Sequence, residues 1–411
     1  MIVKEYIKKF EKLGMGMFVH FGLYSVLGEG EWTYCLNKVP TDKYESLTKE
    51  FNPEADWAKK LVEVAVEGGC KYVTLTTRHH DGFSLYDAQG LNDYDAPHAL
   101  AGRDLVKEFV DACNDAGVIP FFYHTLLDWR HPDYKADFPK YLVYLRASVE
   151  LLCKNYGKIG GIWFDGMWDK PDADWEEDAM YSMIRSHQPD AMIINNTGLS
   201  HRGELGHIEL DSVTFERGKP SPINLEDSPK YIASEMCQVL CCHWGYAEHD
   251  YKYTSLTELI RELAVCRRYG SNYLLNVGPM GNGYIHKLDK AMISTLGDWV
   301  SLHKEALYTA RPTGIDVKGK PNDFILADGN SYYVFSHYIT TASEDNVVIP
   351  DKEPFDHLSE FTLDKKVKSV NRLNDGKVLD FTQYGDAVSI SVPAYRYGEH
   401  LVVEIIKVET E

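Results

Sequence analysis

Short apolar segments alternate with amphipathic helical segments through residues 1–309, and this alternation restricts the possible folds more than any other feature of the sequence. Buried parallel strands are predicted at residues 17–21, 71–77, 118–123, 161–165, 192–195 and 273–277. Amphipathic helices are predicted at residues 55–67, 104–116, 139–155, 174–187, 256–270 and 288–305. Repeated strand–helix units of this kind indicate an α/β fold, either a (β/α)8-like barrel or a doubly wound parallel sheet.

The residues that follow the first predicted strand favour the barrel. A dinucleotide-binding doubly wound sheet carries a GxGxxG turn at this place, but the chain reads HFGLYSVLGEG. Polar side chains also follow at least four of the strands, and the carboxyl ends of the strands are where a barrel holds its active site. We therefore predict a (β/α)8-like barrel over residues 1–309.

The pattern changes at about residue 310, where short alternating strands replace the strand–helix units. The segments FILADG, YYVFSHY, AVSISVPA and LVVEII are typical of half-buried strands. Two turn sequences, Asp328-Gly329-Asn330 and Asn374-Asp375-Gly376, favour hairpins between such strands. Residues 310–411 are therefore predicted to form a small antiparallel β-sandwich domain.

The charge balance limits the partners of the chain. There are 62 Asp and Glu against 43 Lys and Arg, a formal net charge of −19. Such a chain repels phosphate groups, so neither nucleic acid nor an anionic membrane is an expected partner. Aromatic residues reach 12%, and flat rings are what a sugar-binding cleft requires. The oligomeric state is left open.

The cysteines and the amino-terminal residues indicate the compartment. The eight cysteines are scattered without a CxxC pair, Cys241 and Cys242 are adjacent, and we expect all eight to be reduced thiols. The first twelve residues are charged and precede no apolar run of signal-peptide length. No segment approaches the roughly 18 apolar residues of a membrane span. The expected location is cytoplasmic.

Histidines lie where the first two strands end, and they raise the possibility of a metal site. The first strand ends near His20, and the second runs into His79 and His80 in TTRHHDGF. Barrel hydrolases that use a metal often place two histidines at i and i+2, whereas His79 and His80 are adjacent and would face opposite sides of a continuing strand. HExxH is also absent. No metal or other cofactor is predicted.

Asp165 lies at the end of the fourth strand, in IWFDG, and suits a pair of catalytic carboxylates. Glycoside hydrolysis needs two carboxyl groups on opposite sides of the scissile bond. The neighbouring Gly166 leaves room for a sugar ring, and Trp163 is close in sequence. The same position would also suit a helix N-cap, so residues farther along the chain must decide between the two roles.

Five collinear segments together resemble the α-L-fucosidases of glycoside hydrolase family 29. They are HFGLYSV with GEW, KYVTLTTRHHDGFSLYDA, GGIWFDG, CHWGY and NYLLNVGPMGNGYI, and they cover residues 14–310 approximately. The resemblance implies a barrel-like catalytic domain and retaining hydrolysis of terminal α-linked L-fucose. Phe21 and Tyr86 stand where the family commonly has Trp. Both departures keep an aromatic ring.

The resemblance also implies roles for individual residues. Asp165 falls on the family's nucleophile, and Glu235, which precedes Cys237 and the CHWGY segment, is the predicted acid/base. Glu216 and Glu226 remain alternatives for the acid/base. The sugar-binding positions of the family fall on His20, Glu31, Trp32, His79, His80, Tyr123, Trp163 and Arg217.

The sequence thus predicts a cytoplasmic exo-α-L-fucosidase that needs no metal and acts on a fucosylated oligosaccharide or glycoconjugate. Two other classes stay open, a metal-dependent barrel hydrolase and a non-catalytic sugar-binding barrel. Transfer of fucose to a second sugar, and acceptance of L-galactose, are compatible with the same residues.

Overall fold

Eight parallel strands close into a barrel, each pairing with the next in the chain and the last with the first. The computed structural model describes residues 2–197, 205–223, 225–226, 228–340 and 355–411. The barrel strands are β1 Met15–Val19, β2 Tyr72–Arg78, β3 Ile119–Thr125, β4 Gly161–Asp165, β5 Met192–Asn195, β6 Ser212–Glu216, β7 Ala233–Val239 and β8 Asn272–Val277. The predicted (β/α)8-like barrel is confirmed.

The inside of the barrel is filled largely by aromatic side chains. Phe18, Tyr72, Phe121, Tyr123 and Trp163 belong to one buried cluster. Their rings meet at centroid distances of 5 to 6 Å, as in the 5.7 Å stacked pair of Tyr123 and Trp163. We call this packed cluster of rings the floor. Because it fills the inside of the barrel, the functional groups lie at the carboxyl ends of the strands, which is where barrel enzymes hold their sites.

The described residues form a helix at each of the six predicted amphipathic segments and five further helices that were not predicted. In chain order, all these helices are α1 Glu5–Glu11, α2 Tyr24–Leu27, α3 Thr33–Leu36, α4 Thr41–Ser46, α5 Trp57–Glu67, α6 Leu105–Ala116, α7 Pro132–Ala136, α8 Phe138–Asn155, α9 Glu177–His187, α10 Leu256–Arg268 and α11 Lys287–Tyr308. In α6 the side chain of Asp104 caps the amide of Lys107, and Gly117 ends the helix in the left-handed conformation. None of the described helices is long and apolar enough to cross a membrane.

Antiparallel strands make up most of the last hundred residues. They are β9 Arg311–Asp316, β10 Phe324–Asp328, β11 Ser331–Ser336, β12 His357–Thr362, β13 Val367–Arg372, β14 Phe381–Tyr384, β15 Ala387–Val392 and β16 Glu404–Thr410. They form a five-stranded sheet in the order β13-β16-β11-β10-β9 and a three-stranded sheet in the order β12-β15-β14. The predicted turn at Gly329, with φ of +62°, joins β10 to β11.

The chain divides into two compact units. One comprises Met1–Thr254 with Ser271–Ser294, and the other Ser255–Gly270 with Thr295–Glu411. The helix α10 therefore belongs to the unit that contains the antiparallel sheets. The predicted domain boundary between residues 309 and 310 stays a prediction, because each compact unit consists of two separate segments of the chain.

Candidate active site

A small cavity of about 100 Å³ opens among side chains from the carboxyl ends of the barrel strands. It contains two carboxylates and one thiol and is otherwise lined by rings, three of which are imidazoles. The lining residues are Phe18, His20, Trp32, His79, His80, Tyr123, Trp163, Asp165, Trp168, Glu216, Cys237 and Trp244. The predicted strand-end residues therefore meet in one place.

Asp165 ends β4 and receives hydrogen bonds on both carboxylate oxygens. Tyr123 donates to Oδ2 at 3.1 Å, and His80 Nε2 lies 3.4 Å from the same oxygen. Trp168 Nε1 and Asn196 Nδ2 donate to Oδ1 at 3.2 and 3.3 Å. Burial alone would raise the pKa of Asp165, but the hydrogen bonds and the charge of His80 outweigh it and lower that pKa. The carboxylate is held ionised, as a nucleophile must be.

A hydrogen bond to Thr125 orients the ring of His80 beside Asp165. Thr125 donates its hydroxyl hydrogen to the carbonyl of Leu127 at 2.6 Å, so it accepts from His80 Nδ1 at 2.7 Å. The other ring nitrogen, Nε2, therefore faces the carboxylate of Asp165.

His20 and His79 are both buried as neutral rings. Asn276 donates its amide to the carbonyl of Trp244, so its oxygen accepts from His20 Nδ1 at 2.6 Å. Burial lowers the pKa of His20 to about 3 and places the pKa of His79 well below its ordinary value. Nδ1 of His79 is buried without a hydrogen-bond partner among the described residues. Such groups suit the hydroxyls of a ligand.

The second carboxylate of the cavity is Glu216, which ends β6. Asn196 Nδ2 donates to Glu216 Oε2 at 2.6 Å and to Asp165 Oδ1 at 3.3 Å, so one amide nitrogen bridges the two acids. The two oxygens consequently lie no more than about 6 Å apart, whereas inverting glycosidases space their carboxyl groups by roughly 6.5–9.5 Å. Among the acid/base candidates, Glu216 is the one that lines the cavity.

Glu235 lies deeper in the barrel, in the middle of β7 rather than on an irregular segment. The pairing of β6 with β7 sets Glu216 beside Cys237 and Glu235 two residues below. Glu235 is 1% exposed, and it accepts hydrogen bonds from the hydroxyl of Tyr72 and from Trp163 Nε1. Burial raises its pKa to about 7, which would suit an acid, but geometry takes precedence because the group is not part of the cavity lining.

The remaining predicted residues fall inside and outside the lining. Trp32, Tyr123 and Trp163 line the cavity. Glu31 lies behind it, where its Oε2 accepts the amides of Trp244 and Gly245 at 3.1 and 2.8 Å. Arg217 and Glu226 are exposed and outside the lining. Glu31 thus shapes the segment that carries Trp244, and Arg217 donates to the carbonyl of Cys242 at the start of the same segment. The roles predicted for Arg217 and Glu226 stay predictions.

Several lining residues were not predicted. Trp168 follows β4 and stacks on Trp32 with ring centroids 5.8 Å apart. Trp244, in the CHWGY segment, lies 5.2 Å from the ring of His20. Trp168 could have been found from the sequence, because it lies two residues after Gly166. The sequence signal for Asn196 was only its place directly after a predicted strand.

The described ranges contain no group of three or more His, Cys, Asp or Glu arranged to hold a metal ion. The two adjacent histidines do not face opposite sides as they would on a continuing strand, because β2 ends at Arg78. Their rings lie 4.2 Å apart and both reach the cavity. The arrangement therefore suits hydroxyl recognition around two carboxylates.

Comparison with protein families gives a match that includes all eight barrel strands. The family model described as Alpha-L-fucosidase matches residues 3–305. The tissue alpha-L-fucosidase of Bos taurus is 30% identical over 343 residues, which cover 74% of this chain and 69% of that protein. The tissue alpha-L-fucosidase of Macaca fascicularis is 28% identical over 364 residues, covering 80% and 75%.

Solved structures show a similar fold over nearly the whole length. Alpha-L-fucosidase isoenzyme 1 from Paenibacillus thiaminolyticus superposes with a TM-score of 0.83 at 28% identity, covering 99% of both chains. A GH29 alpha-L-fucosidase from Bacteroides thetaiotaomicron shares the fold with a TM-score of 0.81 at 24% identity, covering 99% of this chain and 95% of that one. The antiparallel unit is therefore part of the shared fold.

Proposed function

Because the chain belongs to the α-L-fucosidase family of glycoside hydrolases, we propose that it hydrolyses terminal α-linked L-fucose with retention of configuration. The observation that carries this proposal is the pair of carboxylates, Asp165 and Glu216, which lie in a single cavity and accept hydrogen bonds from the same amide nitrogen of Asn196. Their close spacing supports a covalent route, since a water molecule on the far face of the sugar needs a wider gap.

Asp165 is the proposed nucleophile. An oxygen of its carboxylate attacks the anomeric carbon as the bond to the leaving oxygen breaks, which gives a fucosyl ester on Asp165. Water then attacks the same carbon, the ester bond breaks, and the carboxylate is regenerated. The ring of His80 and the hydroxyl of Tyr123, which both lie against Oδ2, stabilise that carboxylate before attack and again when it departs.

Glu216 is the proposed acid/base in place of Glu235. It gives its proton to the leaving oxygen in the first step and takes a proton from water in the second. Its position beside Asp165 supports both transfers. Glu235 instead lies under the floor, where its contact with Trp163 supports a ring that lines the cavity.

The lining supports a single terminal sugar as the group that is bound. A cavity of about 100 Å³ is small, and it contains the neutral imidazoles of His20 and His79. These groups accept and donate hydrogen bonds to hydroxyls, while the stacked Trp32 and Trp168 offer apolar faces for the sugar ring and its methyl group. We therefore infer that the remainder of a fucosylated glycan stays outside.

Turnover of an aryl α-L-fucoside tests the proposal, with the first anomer released followed by proton NMR. We expect α-L-fucose to appear before mutarotation and EDTA to leave the rate unchanged. Asp165→Asn should lower kcat by several orders of magnitude, while Asp169→Asn, a change in the same loop at a carboxylate that bonds Tyr134, should stay active.

Three results would contradict the proposal and each points elsewhere. Activity lost to EDTA and restored by zinc or manganese would indicate the metal-dependent barrel hydrolase. Fucose binding without turnover would indicate a sugar-binding barrel. Near-normal turnover by folded Asp165→Asn protein would remove Asp165 from the mechanism.

A further inference from the structure

The side chain of Asn196 lies between the two carboxylates of the cavity. It is 2% exposed, and its nitrogen donates to Asp165 Oδ1 and to Glu216 Oε2. An amide nitrogen has two hydrogens, so each acid receives one. Both donor positions are therefore used by the two groups that carry the proposed chemistry.

The orientation of this amide is fixed from two sides. The hydroxyl of Thr214 donates to the amide oxygen of Asn196 at 3.2 Å, and the backbone amide of Asn196 donates to the carbonyl of Phe164 at 2.9 Å. An inverted side chain would set its oxygen against the ionised Asp165. Thr214 is two residues before Glu216 on β6, so the strand that ends in the acid also orients its neighbour.

We propose that Asn196 is a positioning residue that keeps the acidic proton of Glu216 on Oε1 and holds Asp165 beside that acid. The inference rests on the proposed function, which supplies the two roles. A proton on Oε2 would meet an N–H group at 2.6 Å, so the proton resides on the other oxygen. The second hydrogen of the same amide is donated to Asp165 Oδ1, which fixes the two carboxylates relative to each other.

The neutrality of the amide matters as much as its direction. A cation between the acids would stabilise both as anions and would remove the repulsion that keeps a proton on the acid. Asn196 orders the pair without adding charge. The titratable groups that face the pair from the neighbouring strands and turns are His20, His80, Tyr123 and Cys237, and Glu235 lies beyond Cys237 and Trp163.

The pH dependence of kcat/KM for Asn196→Ala tests the proposal. A donor stabilises the ionised form of a carboxylate, so its removal should move both limbs of the profile to higher pH, on the order of half a unit to one unit. We also expect kcat/KM to fall roughly 10- to 100-fold for a fucosyl disaccharide, and less for a dinitrophenyl fucoside, because the misplaced proton matters most for a poor leaving group.

Asn195→Ala is the matched control. Asn195 is equally buried on the same segment, but its amide donates to Tyr181 and not to either acid. This variant should lose stability without moving either limb. Thr214→Val keeps the shape of its side chain and removes the hydroxyl that orients the amide, so it should shift the limbs in the same direction as Asn196→Ala but less.

The outcomes separate this inference from the proposed function. If wild-type protein hydrolyses α-L-fucosides but neither Asn196→Ala nor Thr214→Val moves a limb, the positioning role is wrong and the function stands. If wild-type protein fails to hydrolyse them, the proposed function itself is wrong. Should Asn196→Ala not fold, the limbs of Thr214→Val decide.

Discussion

Three glutamates compete for one catalytic role, and their surroundings differ more than their sequence positions do. Glu226 is exposed, Glu216 lines the cavity beside the nucleophile, and Glu235 is enclosed by donors beneath the floor. An acid/base must reach both the leaving oxygen and a water molecule. Among the three, the described geometry gives that access to Glu216.

Glu216→Ala should therefore separate substrates by leaving group. We expect hydrolysis of a fucosyl disaccharide to fall by about 10²–10⁴-fold, since it needs protonation, and hydrolysis of a dinitrophenyl fucoside to fall much less. Azide should partly restore turnover of the activated substrate, because a small anion attacks the ester without a base. Steady-state rates with both substrates, with and without azide, measure this.

Glu235→Ala and Glu226→Ala are the comparison variants. Glu235→Ala leaves Tyr72 and Trp163 without their acceptor, so both substrates should be affected alike and azide should not help. Glu226→Ala should resemble wild-type protein. If the leaving-group pattern with azide rescue appears in either of these variants instead, the acid/base is that residue.

The turn after β4 shows how an element fixes the nucleophile. Gly166 has φ of +105°, and a Cβ atom there would lie 3.0 Å from the backbone nitrogen of Leu127. The turn leads into the short 3-10 helix Met167–Asp169, which carries Trp168 back to Asp165. Only glycine fits this conformation and this approach without strain.

Gly166→Ala should consequently lower both stability and kcat. The left-handed conformation alone costs about 1–2 kcal/mol, and displacement of the backbone adds to it. Gly157→Ala is the control, because Gly157 has φ of +70° but nothing within 4 Å of the added carbon. Urea unfolding measures the loss of stability in both variants, and steady-state kinetics measures the loss of kcat. An equal loss of stability in both, with kcat unchanged, would contradict a positioning role for this turn.

Strands that read as short apolar runs could be predicted from the sequence. β4 and β5 read as apolar runs, and the prediction placed Asp165 at the end of its strand. β6 and β7 read SVTFE and ASEMCQV, which mix polar and apolar residues because Thr214 and Glu235 are buried within the barrel. Because neither strand was predicted, the depth of Glu216 and of Glu235 within the barrel could not be derived from the sequence.

Motif spacing did not determine which glutamate meets the nucleophile, because that depends on strand register. The pairing of Glu216 with Cys237 is a property of two neighbouring strands, and no count along one of them gives it. The histidines after β2 are similar. Their identity was visible in TTRHHDGF, but their shared direction follows from the end of the strand at Arg78.

At the scale of the whole molecule, two buried acids make the free energy of unfolding depend on pH. The net charge of −19 belongs mainly to solvated groups, but burial raises the pKa of Glu235 to about 7 and that of Asp81 to about 6. Both are in the barrel unit. Each binds a proton more tightly in the folded chain than in the unfolded one.

This sign leads to a prediction about unfolding. A carboxyl group whose pKa rises from 4.5 in the unfolded chain to about 7 in the folded one stabilises the fold fully below the first value. That contribution is lost as the pH rises through the folded pKa. Glu235→Gln stays neutral at every pH, so the variant should become more stable relative to wild-type protein between about pH 4.5 and 7, on the order of 1–3 kcal/mol. Above pH 7 the difference should be constant.

Urea unfolding of both proteins from pH 4.5 to 8 measures that difference. Asp81 titrates in the same window, but it is present in both proteins and cancels when their free energies of unfolding are subtracted. The amide introduced by Glu235→Gln keeps one acceptor oxygen for Trp163 or Tyr72, so the packing of the floor should survive the change. Parallel stability curves would mean that Glu235 titrates alike in the folded and unfolded chains, and the buried carboxyl would then not be protonated near neutral pH.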